Sequence, residues 1–440
     1  MLLTYRGETM RVRSSVRVLA ALGALALTLV ACGNESTGNT TTDGIKAPAV
    51  DDTNATVDQP GVSKDTIRVG GVASITNPLN APYGDIFKGA EAYFAKVNSE
   101  GGIYGRKLEL VEPRDDQFVN NLKETQAMLA EDDVFAAVGL ATIFDFSGAV
   151  ELEKAGIPSF GWNINADWNK QNLFGNSGAL CLGCDGVVIP WMAKELDRKS
   201  IAVLTYGTVD QSKKCGEGIK KSFEKYPTAK VDFASDAHSF GDVDFSVDIG
   251  QMKDAGVDFI TACMDNNAVL AIAKEARAQD LDAIQYLVNG YDQEFMDANS
   301  EFFQDSVVRV PFVPFEVKPQ PAGLAEYLKW MDKRGDPPNE YTTYGWINGV
   351  MLVEGLRGAG PNFTQQKVVD ALNTLTNDTA GGLLSGIDWT TQHTETRPPE
   401  DCAAYVTVKG SEFVPTFVPK GKAFVCFKRD QSVDTKPTYK

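Results

Sequence analysis

Histidine is nearly missing from this chain: its 440 residues include only His238 and His393, far apart in sequence. A histidine-rich metal site or a Ser/His nucleophile therefore has little material to work with. Basic residues are also scarce, 42 against 59 acidic ones, for a formal charge of -17. That field repels nucleic acid and gives no footing on anionic lipid. There is no Walker A loop, Gly-x-Ser-x-Gly elbow, His-Glu-x-x-His motif or dinucleotide fingerprint. The carboxylate pairs Asp115-Asp116 and Asp132-Asp133 fall in turn-like segments, where solvated side chains explain them better than acid/base chemistry. These absences argue against an enzyme and lead us to expect no cofactor and no metal. Long apolar runs are absent as well. Val18–Val30 has 13 residues, short of the roughly 20 a spanning helix needs.

That short run reads as the core of an export signal over residues 1–31. Arg11, Arg13 and Arg17 precede it, and it ends in Leu29-Val30-Ala31-Cys32-Gly33. The Leu-Val-Ala-Cys stretch resembles the bacterial lipobox, and the resemblance implies that Cys32 is acylated and holds the protein on the outer side of a cell membrane. The alternative is an ordinary secretory signal with an incidental cysteine. Met10 would serve as a start as well as Met1. Residues 1–31 hold four arginines and one glutamate, so their removal takes the charge from -17 to -20. Gly33–Gly61 is rich in Asn, Ser, Thr, Asp and Gly, too polar to order itself. Residues 32–65 therefore read as an anchor and tether.

Six cysteines remain, an even number suited to three disulfides outside the cytosol. Cys402 and Cys426 flank two β-rich runs, Ala403–Val408 and Glu412–Val418, and are expected to pair. For Cys181, Cys184, Cys215 and Cys263 the sequence does not choose among the connectivities. Cys181-Leu-Gly-Cys184 has redox spacing, but its flanks do not resemble thioredoxin, which favours a structural bridge.

From Thr66 onward β-rich runs alternate with helical patterns: Ile67–Val72, Tyr83–Ser99, Lys107–Val111, Asn121–Glu131 and Val134–Val138. The order then repeats with Ser200–Tyr206, a helix around Gly218–Lys225, Lys230–Phe233, a helix near Phe245–Ala255 and Asp258–Ala262. Such alternation predicts an α/β fold of two doubly wound lobes, each a parallel sheet covered by helices.

Three blocks carry a specific resemblance. They are Tyr83-Gly84-Asp85 with Gly89-Ala90-Glu91 and Asn98–Leu110 closed by Arg114-Asp-Asp116; Cys215-Gly-Glu-Gly218; and Tyr344-Gly-Trp-Ile-Asn-Gly-Val-Met-Leu-Val-Glu354. Together they make the chain similar to the type I periplasmic binding-protein family, in the branch of receptors for branched-chain amino acids and amides that serve ABC importers. The resemblance spans Thr66 to about Lys428. It implies three crossovers between the lobes, near Gly175–Gly178, Pro311–Glu316 and Pro398–Cys402. The expected division is 66–177 plus 316–400 for lobe one, 178–315 plus 401–430 for lobe two, and a tail over 431–440. Closure about that hinge would trap a small molecule.

Ligands of open α/β sheets sit beyond the carboxyl ends of the strands. In lobe one the loop with Ala141, Thr142 and Ile143 follows a strand and opens a helix, so the Thr142 hydroxyl and nearby N–H groups suit a carboxylate, or Thr142 is simply an N-cap. The resemblance makes Tyr83 an aromatic wall. It puts Asn163 and Asn165 where relatives use a backbone group and a threonine hydroxyl, with Trp162 as lining or core. In lobe two the candidates are Tyr206, Asp265, Asn266, Tyr291 and Asp292. Cys215 replaces a family tyrosine, and Asp265 or Asp292 could receive an ammonium group or cap a turn. The expected protein is a monomeric, lipid-anchored receptor that captures a small polar metabolite for an ABC permease. A sensory lipoprotein with the same lobes is the alternative.

Overall fold

The computed structural model describes residues 56–178, 180–394 and 397–440. The export signal, Cys32 and most of the tether lie outside the described residues. Among the described residues no helix is long and apolar enough to cross a membrane.

Lobe one is built on five parallel strands in the order Lys107–Leu110, Thr66–Gly70, Ala136–Leu140, Ser159–Gly161, Leu173–Gly175. Ala136–Leu140 is buried at every position, as a central strand covered on both faces must be. The second sheet has nine strands. Lys230–His238, Ser200–Tyr206, Phe259–Cys263, Ile284–Leu287 and Val307–Val310 run parallel. Glu400–Lys409 then adds antiparallel, followed by Val425–Lys428 and Thr438–Tyr439, with Glu412–Pro415 on its side. The chain passes between the sheets three times, after Gly175, after Val310 and before Glu400.

The third passage is prepared by the Glu340–Ala359 helix, which returns to lobe one and is buried nearly all round. A helix apolar on every face belongs inside a core. It lies on the Asp85–Ser99 helix with the two backbones nearly touching. A Cβ added to Gly345 would fall 1.7 Å from the Ile86 carbonyl oxygen, and one added to Gly89 would fall 1.8 Å from that of Thr342. These two glycines set the interhelical distance.

Three disulfides lie in lobe two: Cys402–Cys426 as expected, with Cys181–Cys184 and Cys215–Cys263 resolving the open pairing. Cys215–Cys263 ties the Asp210–Lys225 helix to the end of the Phe259–Cys263 strand. That helix begins eight residues before the start read from the sequence, because Lys213, Lys214 and the glycines at 216 and 218 mask its periodicity. Gly218 is needed there: its Cβ would lie 2.4 Å from the Leu182 carbonyl oxygen of the Cys181–Cys184 loop.

Two boundaries are corrected. The body starts before Thr66: Gly61 is buried, its N–H donates to Asp133, and Gln59 accepts from the Gln365 N–H. Residues 431–440 are no loose tail, since Thr438–Tyr439 pairs with Val425–Cys426 and becomes an edge of the sheet.

Candidate ligand-binding site between the lobes

The strand ends of lobe one carry a wall of aromatic rings. Tyr83 stacks on Trp162 at 5.7 Å between centroids, and Trp162 stacks on Tyr344 at 6.2 Å. Tyr341 stands edge-on to Tyr83 at 5.0 Å and to Trp162 at 5.4 Å. From Tyr344 the rings continue through Phe312 to Tyr291 and Phe315 in the second crossover and lobe two. Each such pair contributes about 0.5–1.5 kcal/mol beyond its buried area.

Glu340 opens the helix that carries Tyr341 and Tyr344, just after Asn339, whose side chain forms a capping box with Thr342. Its carboxylate accepts the Tyr344 hydroxyl at 2.5 Å. Burial pushes the Glu340 carboxyl up to about 7, against the opposing pull of the Tyr344 hydrogen bond and of Arg309. Its side chain is half-buried. A carboxyl balanced near neutrality can receive an ammonium group or donate to an acceptor.

Beneath the wall, Ala141 joins the Ser74 and Val72 backbones, its O accepting from Ser74 N–H and its N–H donating to Val72 O. The hydroxyls of Ser74 and Thr142 are buried there without a hydrogen-bond partner among the described residues. Ile143 follows, half-buried. Asn163 is occupied otherwise than expected: its Oδ1 accepts from the Ser177 N–H at 2.9 Å and its Nδ2 donates to the Gly178 carbonyl at 2.6 Å. That amide fastens the first crossover. Asn165 accepts from Trp168 Nε1 at 3.0 Å, and its buried Nδ2 has no partner among the described residues.

Asn165 also lines a cavity of about 580 Å³ between the lobes. Phe144, Trp168, Trp389 and His393 face it from lobe one, and Leu182, Gln211 and Lys214 from lobe two. At its rim the lobes meet. Phe240 lies 5.5 Å from Phe118 and 5.2 Å from Phe144, and Gln211 donates to the Phe144 carbonyl at 3.0 Å.

In lobe two both acidic candidates serve as caps. Asp265 accepts from the Asn267 and Ala268 N–H groups and from the Tyr206 hydroxyl, and Asp292 accepts from the Phe295 N–H. Asn266 is the first residue of the helix that Asp265 caps. Tyr291 donates to Glu316 at 2.7 Å and accepts from the Phe315 N–H at 2.7 Å. Burial raises the Glu316 carboxyl, and the Tyr291 bond opposes that shift. The structure thus joins Tyr83 and Trp162 in one wall and sets Tyr206 and Asp265 at its lobe-two side. It adds Glu340, Tyr341 and Glu316, none of which was singled out from the sequence. The Tyr344-Gly-Trp block, one of the three that carry the family resemblance, was the available signal for Glu340.

His393 stacks on Trp389 at 5.7 Å, and both its ring nitrogens are buried without partners among the described residues. Burial pushes its pKa from 6.5 down to about 4. A lowered folded-state value means that the unfolded chain takes up the proton first, so stability is lost as pH falls from about 6.5 to about 4. His393→Phe keeps the ring stack and should flatten that part of the wild-type profile in urea unfolding at pH 7 and pH 5. An unchanged pH difference would show that His393 does not titrate in this way.

The model of the family described as periplasmic binding protein matches residues 66–412. The chain belongs to that family. This binding protein is 23% identical over 346 residues to the leucine-, isoleucine-, valine-, threonine- and alanine-binding protein of Pseudomonas aeruginosa, covering 73% of this chain and 86% of the relative. Its fold matches a branched-chain amino acid transporter substrate-binding protein from Streptococcus pneumoniae in complex with isoleucine (TM-score 0.65, 18% identity, 83% and 100% covered). It also matches a fatty acid ABC transporter substrate-binding protein from Thermomonospora curvata (TM-score 0.68, 16% identity, 86% and 97% covered). A third match is a solute-binding protein from R. palustris in complex with benzoate (TM-score 0.64, 18% identity, 80% and 95% covered). The family is one of extracytoplasmic solute receptors that work with ABC permeases, not of enzymes, in agreement with the missing catalytic sets.

Proposed function

We propose that this binding protein is a lipid-anchored receptor that captures a small polar metabolite, an amino acid, amide or related compound, between its lobes and delivers it to an ABC importer. The observation that carries this reading is the aromatic wall of Tyr83, Trp162, Tyr341 and Tyr344 with Glu340 at its edge, set where the two lobes face each other. Rings supply a flat apolar surface, and the few polar groups beside them supply orientation, which is the usual economy of a small-molecule site. The ligand set on this reading combines that wall with the unpartnered Thr142 hydroxyl. The amino-acid receptor of Pseudomonas aeruginosa supports the ligand class.

A thermal-shift screen of amino acids, amides, ureas and short acids tests the capture. A ligand free at 100 times its Kd should add about 2.7 kcal/mol of stability, and no shift with any of them would count against the proposal. The anchor is tested separately. Cys32→Ser should move the protein from the membrane fraction to the soluble one, and continued acylation of that variant would remove Cys32 from its role.

A further inference from the structure

The loop after Lys230–His238 sends Phe240 across to lobe one, where its ring lies 5.5 Å from Phe118 and 5.2 Å from Phe144. Phe118 and Phe144 are themselves 4.8 Å apart and edge-on, so three rings form one cluster shared by the two lobes. All three are half-buried. Parting the lobes would strip Phe240 of both partners and return apolar surface to water. Beside the cluster, Gln211 of lobe two donates to the Phe144 carbonyl at 3.0 Å.

Each arm is braced within its own lobe. Gln117 and Phe118 have φ of 46° and 74°, a left-handed backbone that costs free energy in residues other than glycine and persists only where the surroundings enforce it. Asp115 accepts the Gln117 N–H at 2.9 Å, and the fully buried Asp116 accepts the Phe118 N–H at 2.8 Å. In lobe two Phe240 packs on Tyr206 at 5.4 Å. Its loop is closed by the Ser239 N–H, which donates to Asp242 at 2.7 Å, and His238 at the base hydrogen-bonds Asp248 at 3.1 Å. The rings meet on two supports that are each set before contact.

The topology puts this contact far from the hinge. Phe118 follows Arg114–Asp115 on the Lys107–Leu110 side of the first sheet, while the first crossover leaves from Leu173–Gly175 at the opposite edge. In lobe two Lys230–His238 is the edge strand, four strand spacings or about 19 Å from Val307–Val310, where the second crossover leaves. A contact so placed opposes opening with a long lever. We propose that Phe240 is a latch that seats between Phe118 and Phe144, so that the ligand-free protein rests closed and opens only when Phe240 withdraws. A solute then enters only the open fraction, and its entry slows in proportion to that fraction.

The test is electron–electron double resonance on the full-length protein, stripped of carried solute in guanidinium and refolded with its disulfides intact. Spin labels on non-canonical amino acids at Lys123 in lobe one and Val247 in lobe two occupy exposed positions. Without any solute, wild type should give one short distance as its main population. Phe240→Ala should lower the closed-to-open ratio by about tenfold or more, since two ring contacts across the lobes are lost. Phe118→Ala removes the same contact from the other lobe, should act in the same direction, and decides the matter if Phe240→Ala does not fold. Phe240→Leu should fall between wild type and Phe240→Ala, and Val243→Ala, exposed on the same loop, should leave the ratio unchanged. A ligand-free wild type that is mainly open, or an unchanged ratio in Phe240→Ala, would overturn the proposal. A lower melting temperature with an unchanged distance distribution would make the rings structural alone and overturn it too. No solute enters these measurements, so their failure leaves the capture reading to the thermal-shift screen.

Discussion

Gly345→Ala should destabilise the protein by about 4 kcal/mol, near the upper end for a single substitution. The added Cβ would lie 1.7 Å from the Ile86 carbonyl oxygen and 2.8 Å from the Ala90 nitrogen. Both obstacles are backbone of a buried helix, so no side chain can swing aside and the two helices must separate. Overpacking a well-filled core ordinarily costs about 1–3 kcal/mol, and a rigid backbone clash exceeds that. Gly156→Ala is the matched comparison. Gly156 has φ of 65° at a helix end, but no atom stands within 4 Å of the added Cβ, so only backbone strain of about 1 kcal/mol is expected. Urea unfolding of the two variants should separate them clearly. Equal losses would show that the close helix contact is not what Gly345 provides.

Trp162→Ala should weaken ligand binding by about 100-fold, the loss expected when a central aromatic anchor of a site is truncated. Trp162 is 9% exposed and stacks with both Tyr83 and Tyr344. Its removal collapses the wall as well as deleting a contact surface. The same truncation opens a cavity and costs about 3–5 kcal/mol of stability, so affinity must be measured well below the melting transition. Trp162→Phe keeps a ring in the stack and should recover most of the affinity. Binding by Trp162→Ala within a factor of about three of wild type would mean that the ligand does not meet this wall.

Much of the architecture was readable because parallel strands buried on both faces leave short apolar runs between amphipathic helices. Asn121–Glu131 and Ser200–Tyr206 fall where the pattern put them. The early turns of the Asp210–Lys225 helix were not readable, since Lys213-Lys214 and two glycines contradict helical periodicity while the Cys215–Cys263 bridge supplies the missing hold. The edge strand Thr438–Tyr439 was missed because a two-residue strand carries no period of its own.

The site divided along similar lines. Tyr83 and Trp162 lie in local strand-end loops, and local sequence marked them. Glu340 joins the wall only through chain that returns from the other lobe, a relation that no window of sequence contains. Asp265 and Asp292 were ambiguous for a physical reason. An aspartate at the start of a helix beyond a strand is placed equally well to cap that helix or to meet a ligand, and here the backbone N–H groups occupy both.

The central claim is that a small molecule is held between the lobes against the aromatic wall. A crystal structure of the protein grown with the strongest compound from the thermal-shift screen tests it most directly. The account predicts ligand density against the Tyr83 and Trp162 rings, with a polar contact to Glu340 and both lobes touching the molecule. Density on an outer face, or within one lobe with the wall untouched, would contradict it.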